Sequence, residues 1–592
     1  MGMMRHGEKS KDARGTLLRL WRYMRRQRWA LVGVAVFVVV STVASLLSPY
    51  LMGIAIDRYI ANRDLAGLAR LAALMIACHF VAAASAWLQI YIMVGVAQRA
   101  VRDIRADLFG RMQALPLRFF DQRSHGDLMS RLTNDVDNVS MILGNGVSQL
   151  LSSVLSIAVV IVMMLALNAR LGLVSLVVAP LMFLITRYIA GHVRPRFRET
   201  QETLGVLNGI IEETVTGQRT VKAFAREEAT IAEFCAVNVR LKRVAMRARV
   251  VAGFMGPLMN MVNHIGLAVV VGTGGLLALQ GMATVGAIAS FISYYNRLGR
   301  PLSQIANLYS SLQSALAGAE RVFELMDEEP EVDAPDARPL EHTNGDVTFD
   351  RVCFSYDEGV PVLKDVSLHA EAGQMVALVG PTGAGKTTIA NLLTRFYDVD
   401  SGAILLDGLD VRALRKDDLR RKLGLVLQDN FLFGDTVMEN IRYGRLDATD
   451  EEVIAAATMA NADHFIRRLP KGYQTELSER GSNLSQGQRQ LLAIARVILS
   501  DPDILILDEA TSNVDTRTEK HLQEALMRLM AGRTSLVIAH RLSTIRDADH
   551  VLVINGGEII ERGTHESLLA QKGFYHQLYT SQFKGQTVSA AV

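Results

Sequence analysis

A chain of 592 residues, 50% hydrophobic, 21% charged and 6% aromatic, is too long for one hydrophobic core and more apolar than an ordinary soluble protein of its size. Its 63 basic and 60 acidic residues leave a formal charge of +3, so no electrostatic excess argues for a nucleic-acid partner. Cys78, Cys235 and Cys353 lie far apart without ligand spacing, which argues against a disulfide framework or a zinc site and leaves three expected buried thiols.

Residues 1–28 read as a cytoplasmic N-terminal segment. Arg19, Arg22, Arg25, Arg26 and Arg28 precede an apolar run, and basic residues of that kind are retained on the cytoplasmic side. The run from Trp29 to Leu51 has 23 residues, no charge, and twelve Val, Leu or Phe, each worth about −0.3 to −0.6 kcal/mol on insertion. It is longer than a signal-peptide core and lacks a small-residue cleavage pattern, so a retained spanning helix is expected. Further apolar stretches at Leu68–Val96, Gly146–Leu167, Leu171–Thr186, Ala252–Leu279 and Val285–Tyr295 bring the total to six. The last is expected to continue as helix past Arg300. Asn168 to Arg170 and a turn near Gln280 and Gly281 are short external links, whereas the long charged links, about 98–145 and 187–250, are expected as helices projecting into the cytoplasm. A six-helix transmembrane domain over 29–325 follows, with two long cytoplasmic loops. Asn260, Asn263, His264 and Asn296 are polar groups inside it that fit either a substrate path or helix-to-helix hydrogen bonds.

Pro330, Pro335 and Pro339, with surrounding acids, make 326–345 a poor helix and a natural linker. Beyond it, over 346–592, short apolar strands such as Met375–Val379 and Ile504–Leu507 alternate with helical segments, as in an α/β nucleotide-binding domain. Gly380-Pro381-Thr382-Gly383-Ala384-Gly385-Lys386-Thr387-Thr388 lies between such a strand and a helix, the setting of a Walker A phosphate loop. Its glycines let backbone N–H groups close on phosphates. Lys386 adds charge at the β and γ groups, and the Thr387 hydroxyl suits magnesium. ATP and Mg2+ are therefore the expected ligands. Asp508 and Glu509 end an apolar strand as a Walker B pair, Asp508 toward the magnesium shell and Glu509 toward the attacking water.

Leu484-Ser485-Gln486-Gly487-Gln488, between the two Walker segments, resembles the signature of ATP-binding cassette (ABC) transporters. Other marks stand in the family's order: Tyr356 resembles the adenine-stacking aromatic, Gln428 the Q-loop glutamine that reaches the metal, Asp515 the D-loop aspartate, and His540 the switch histidine. The resemblance covers nearly the whole chain and implies a type I exporter half-transporter, a six-helix transmembrane domain followed by an α/β P-loop domain. It implies that two such domains pack head to tail, so that Ser485, Gly487 and Gln488 of one cap ATP on the phosphate loop of the other. Glu509, His540 and Lys386 are then the catalytic groups. Coupling helices are expected near Arg118–Asp121 and Thr216–Arg219, received by Thr475–Gly481.

Two departures stand out: Gln486 replaces the usual glycine, and Ser512-Asn513-Val514-Asp515 replaces Ser-Ala-Leu-Asp. Both resemble the catalytically intact subunit of bacterial heterodimeric exporters, so a heterodimer is expected over a homodimer. Expected cargo is hydrophobic or amphipathic, a drug or lipid, carried through the inner (cytoplasmic) membrane. The alternative is an ATPase that gates a membrane partner without transport.

Overall fold

The computed structural model describes residues 12–357, 359–428, 430–478, 481–508, 516–539 and 542–582. They form two compact units, one ending at Glu329 and the other beginning at Pro330, with Leu115–Gln122 belonging to the second.

Six long helical rods make up the first unit: Arg28–Ile60, Leu65–Gln113, His125–Leu167, Ala169–Thr216, Glu227–Leu279 and Val285–Asp327. Among the described residues the first, second, third and fifth are long and apolar enough to cross a membrane. The fourth and sixth, 48 and 43 residues long, are helical throughout their expected apolar stretches. At 1.5 Å per residue, roughly 70 Å of helix far exceeds a hydrocarbon layer of about 30 Å. These rods therefore extend well beyond a bilayer, as the charged links suggested. Ile76, Phe80, Val162 and Leu279 are exposed, an arrangement that suits lipid and would be costly in water. The external links touch each other: the Asn168 side-chain amide donates to the Met282 carbonyl at 3.0 Å. Gly281 takes the left-handed turn (φ 71°) that closes the second link. Cys78 is half-buried, but Cys235 is exposed on the charged fifth rod, contrary to the buried thiol expected there.

The second unit is built on two sheets. Strands β1 (Val347–Ser355), β2 (Pro361–Ala370), β4 (Ser401–Leu406) and β5 (Leu409–Asp410) form an antiparallel sheet ordered β2-β1-β4-β5. A larger sheet takes β3 (Met375–Val379), β6 (Leu423–Val426), β7 (Ile504–Asp508), β8 (Thr534–Ile538), β9 (His550–Asn555) and β10 (Glu558–Gly563), ordered β10-β9-β3-β8-β7-β6. The strands β3 and β7 read as nearly continuous apolar runs, and β8 and β9 are buried along most of their length, because helices cover both faces of a parallel sheet. With β8 paired to β3 and β7, Leu378 and Asp508 both sit level with Ile538. Thus the phosphate loop and the first acid leave the same edge. Among the described residues three cores follow: one under the sheets around Leu378, Ile389 and Ile506, a second around Leu484, Leu491, Ile494 and Val453, and a third around Val379, Val551 and Tyr575.

Candidate nucleotide site

The turn after β3 leads into the helix Lys386–Leu393, capped by Gly385 at φ 105°. A Cβ on Gly385 would lie 2.6 Å from Leu363 Cδ2, and one on Gly380 would lie 2.1 Å from the Ile554 carbonyl oxygen, so both positions demand glycine. Lys386 is buried, and its Nζ donates to the Gly380 and Pro381 carbonyls, each at 2.9 Å. The ammonium is thereby folded over its own loop. Burial holds it below the ordinary lysine range, with the Asp508 carboxylate pulling the other way. Thr382, Gly383 and Thr387 are exposed at the mouth of the loop, whereas Ala384 and Thr388 are buried beneath it.

Thr387 Oγ1 donates to Asp508 Oδ2 at 3.3 Å, across the edge that β3 and β7 share. A hydroxyl and a carboxylate converging beside a phosphate loop form a hard-oxygen donor set that fits magnesium. Tyr356 stands against the same helix: its hydroxyl meets Thr388 Oγ1 at 3.3 Å and accepts from Asn391 Nδ2 at 3.1 Å. An aromatic placed there can stack on a base while the loop holds its phosphates.

Ser485 caps the helix Gln486–Ser500 in a reciprocal box, its Oγ accepting from Gln488 N at 3.3 Å while Gln488 Oε1 accepts from Ser485 N at 3.0 Å. The Gln488 side chain is thus turned back on the cap. Gly487 is buried at the first turn, and the helix end offers its dipole and free N–H groups to an anion. This element belongs to the second core, whereas the phosphate-loop helix belongs to the first.

Residues 31–302 match the ABC transporter transmembrane region and residues 363–512 match the ABC transporter family. The ABC transporter ATP-binding protein YfiC of Bacillus subtilis is 46% identical over 97% of this chain and 96% of its own. The chain belongs to the ABC transporter family. A fatty acid ABC transporter ATP-binding/permease protein of Mycobacterium tuberculosis is 43% identical over 87% of this chain and 82% of its own. A solved bacterial Atm1-family ABC exporter with ATP bound superposes with a TM-score of 0.77 at 31% identity, covering 94% of this chain and 98% of that one. The ABC exporter fold, with its helical transmembrane domain followed by a cassette, is what the two units display. The protein is a multi-pass membrane ATPase whose ATP hydrolysis is coupled to transport.

Within this ABC cassette, Gln428 follows β6 and lines a shallow groove with Asn430, Phe431, Ser482, Gln486, Arg489 and Gln490. Arg496 of the signature helix grips the same stretch: its guanidinium donates to the Phe431 and Asn440 carbonyls and lies over the Phe433 and Tyr443 rings. Glu509, Asp515 and His540 lie outside the described residues.

One expected coupling helix, Leu117–Asp121, joins the cassette unit directly. Arg118 Nη2 donates to the Tyr356 carbonyl at 3.0 Å, and the Tyr397 hydroxyl donates to the Asp121 carboxylate. Tyr397 in turn meets Tyr356 edge to face at 5.1 Å. In this chain that helix therefore docks beside Tyr356, while the described part of Thr475–Gly481 pairs with 435–437. The second expected turn separates Ala169–Thr216 from the short helix Gln218–Ala223, which buries no side chain. Tyr397 was missed in the sequence; an aromatic shortly after the phosphate-loop helix was its only signal.

Proposed function

We propose that the chain is one half of a dimeric exporter that moves a hydrophobic or amphipathic molecule, a drug or a lipid, across the cytoplasmic membrane. The observation that carries this reading is the Thr387–Asp508 pair beneath an ATP-binding loop, in a chain whose other unit presents apolar rods outward. The fatty-acid relative supports an amphipathic cargo.

ATP binds with its base on Tyr356 and its phosphates over Gly380–Thr388. Thr387, Asp508 and Gln428 would hold magnesium, which when bound would supply neutralisation of phosphate charge. Lys386 moves from its loop carbonyls to those phosphates. Ser485, Gly487 and Gln488 of the opposite cassette close the site. Glu509 takes the proton of the attacking water or orients it, and His540 touches the γ-phosphate. Hydrolysis removes the bridge between cassettes and releases them. Gln486 and Asn513 favour a heterodimer, in which this chain supplies the intact Walker groups.

Reconstituted in lipid vesicles, the transporter is expected to hydrolyse ATP and accumulate a fluorescent amphiphile in parallel, and Glu509→Gln is expected to abolish both. Turnover without movement of any amphiphile would instead favour a regulator of another membrane protein.

A further inference from the structure

Two positive charges, Arg297 and Arg300, stand one turn apart in the sixth rod, and the first of them meets the first rod. Arg297 lies twelve residues into the helix that starts at Val285, about 18 Å along it and hence near the middle of a hydrocarbon layer about 30 Å thick. An arginine at that depth is costly to insert, so its presence calls for a partner. Among the described residues the partner is a neutral one. Arg297 Nη1 donates to the Ser45 carbonyl at 3.3 Å and meets Ser45 Oγ at 3.2 Å. The Ser45 carbonyl is available because Pro49, four residues on, has no N–H to bond it.

Capping that carbonyl does not require a charge. Ser290, Tyr294 and Arg297 form one stripe on the sixth rod, at helical spacing, and all three donate to the first rod. The Ser290 hydroxyl serves the Pro49 carbonyl at 2.8 Å and the Tyr294 hydroxyl serves the Leu46 carbonyl at 2.8 Å. Two neutral hydroxyls do what the third position does with a full cation. Among the described residues the remaining guanidinium N–H groups of Arg297 have no hydrogen-bond acceptor, and they are not sealed from the surface. Nor can this chain supply a counter-charge at that depth: none of its six apolar stretches contains an Asp or Glu. The nearest acid on the first rod, Asp57, lies about 18 Å along the helix from Ser45 and accepts instead from Thr284 and Gly286.

Resting on the reading that the cargo is amphipathic, we infer that Arg297 is a recognition site for an anionic head group, a carboxylate or phosphate carried on an apolar tail. The cation stands unneutralised until cargo arrives, and the guanidinium fork offers two parallel N–H donors to such a group.

The test is equilibrium binding of matched amphiphiles to the full chain in phosphatidylcholine nanodiscs without ATP: palmitic acid against hexadecanol, and lysophosphatidic acid against its monoacylglycerol. A desolvated charge-assisted pair predicts that at least one acid binds about tenfold or more tighter than its neutral twin. Arg297→Gln, which keeps a donor for Ser45, is expected to erase that preference while leaving neutral-twin binding and melting temperature unchanged. Arg297→Lys is expected to restore part of it. Preference for the carboxylate pair alone, or for the phosphate pair alone, identifies the head group. Equal binding of acid and twin by the wild type, or a preference that survives Arg297→Gln, overturns the inference. Because the measurement needs no turnover, its failure is separate from failure of the export reading, which the vesicle assay decides.

Discussion

Lys386 shows how one side chain is tuned before its ligand arrives. Its ammonium is buried against two carbonyls, without a carboxylate in hydrogen-bond contact, and is held below the ordinary lysine range. A lowered lysine pKa means that the unfolded chain binds the proton more tightly. The site therefore carries a stability cost at neutral pH, and the cost fades as pH rises toward the unfolded value of 10.5. Phosphates reverse the balance, since they favour the charged form and push the pKa back up. ATP binding must then take up a proton in the window between the lowered and the restored values. Affinity for a fluorescent ATP analogue is expected to fall with rising alkaline pH, by up to about tenfold per pH unit inside that window. Lys386→Arg, whose guanidinium stays charged, is expected to bind more weakly yet show no such slope. A slope that persists in this variant would place the titrating group elsewhere.

The helix Leu117–Asp121 is five residues long and too short to be stable alone, so its contacts define its purpose. Arg118 holds the backbone of Tyr356, while Asp121 holds Tyr397, whose ring holds that of Tyr356. Burial and the Asp121 carboxylate raise the Tyr397 pKa, so the phenol remains a donor throughout the physiological range. A base stacked on Tyr356 and a shift of this helix must influence each other equally, as linked equilibria require. Tyr397→Phe and Asp121→Leu nearly keep the shapes and remove the hydrogen bond. Each is expected to leave basal ATP hydrolysis within about threefold of wild type while reducing cargo stimulation, since a coupling energy of 1–3 kcal/mol corresponds to about 5–150-fold. Unchanged stimulation in both variants would make the contact merely structural. The helix near Arg118–Asp121 was expected from the sequence, but its contact with Tyr397 was not legible there, because Asp121 and Tyr397 are 276 positions apart. The phosphate loop was legible for the opposite reason: Gly380–Thr388 is contiguous, and its glycines, lysine and threonine are each required by one local geometry. Arg297 escaped although the helix was expected to run on past Arg300, because the apolar run was read as closing at Tyr295 and the proline that gives Arg297 its partner lies on another rod.

Both halves of a nucleotide site are present in one chain, yet they serve different cores. The phosphate-loop helix rests on the sheets, and the signature helix is embedded in the second core. Ser485 and Lys386 share no contact, so closing ATP between a phosphate loop and a signature requires a second cassette. Whether that cassette comes from another copy can be decided by complementation. Lys386→Ala destroys the loop of a chain and spares its signature; Ser485→Arg places a cation and a bulky side chain at the helix cap and spares the loop. Each variant alone is expected to be inactive. In a homodimer, mixing them before reconstitution creates dimers in which the intact loop of one chain meets the intact signature of the other. ATPase activity then returns to a substantial fraction of the wild-type rate. In the heterodimer favoured by Gln486 and Asn513, mixing restores nothing, because each variant needs a different chain across the site. Recovery of turnover on mixing would therefore overturn the heterodimer and assign this chain both roles.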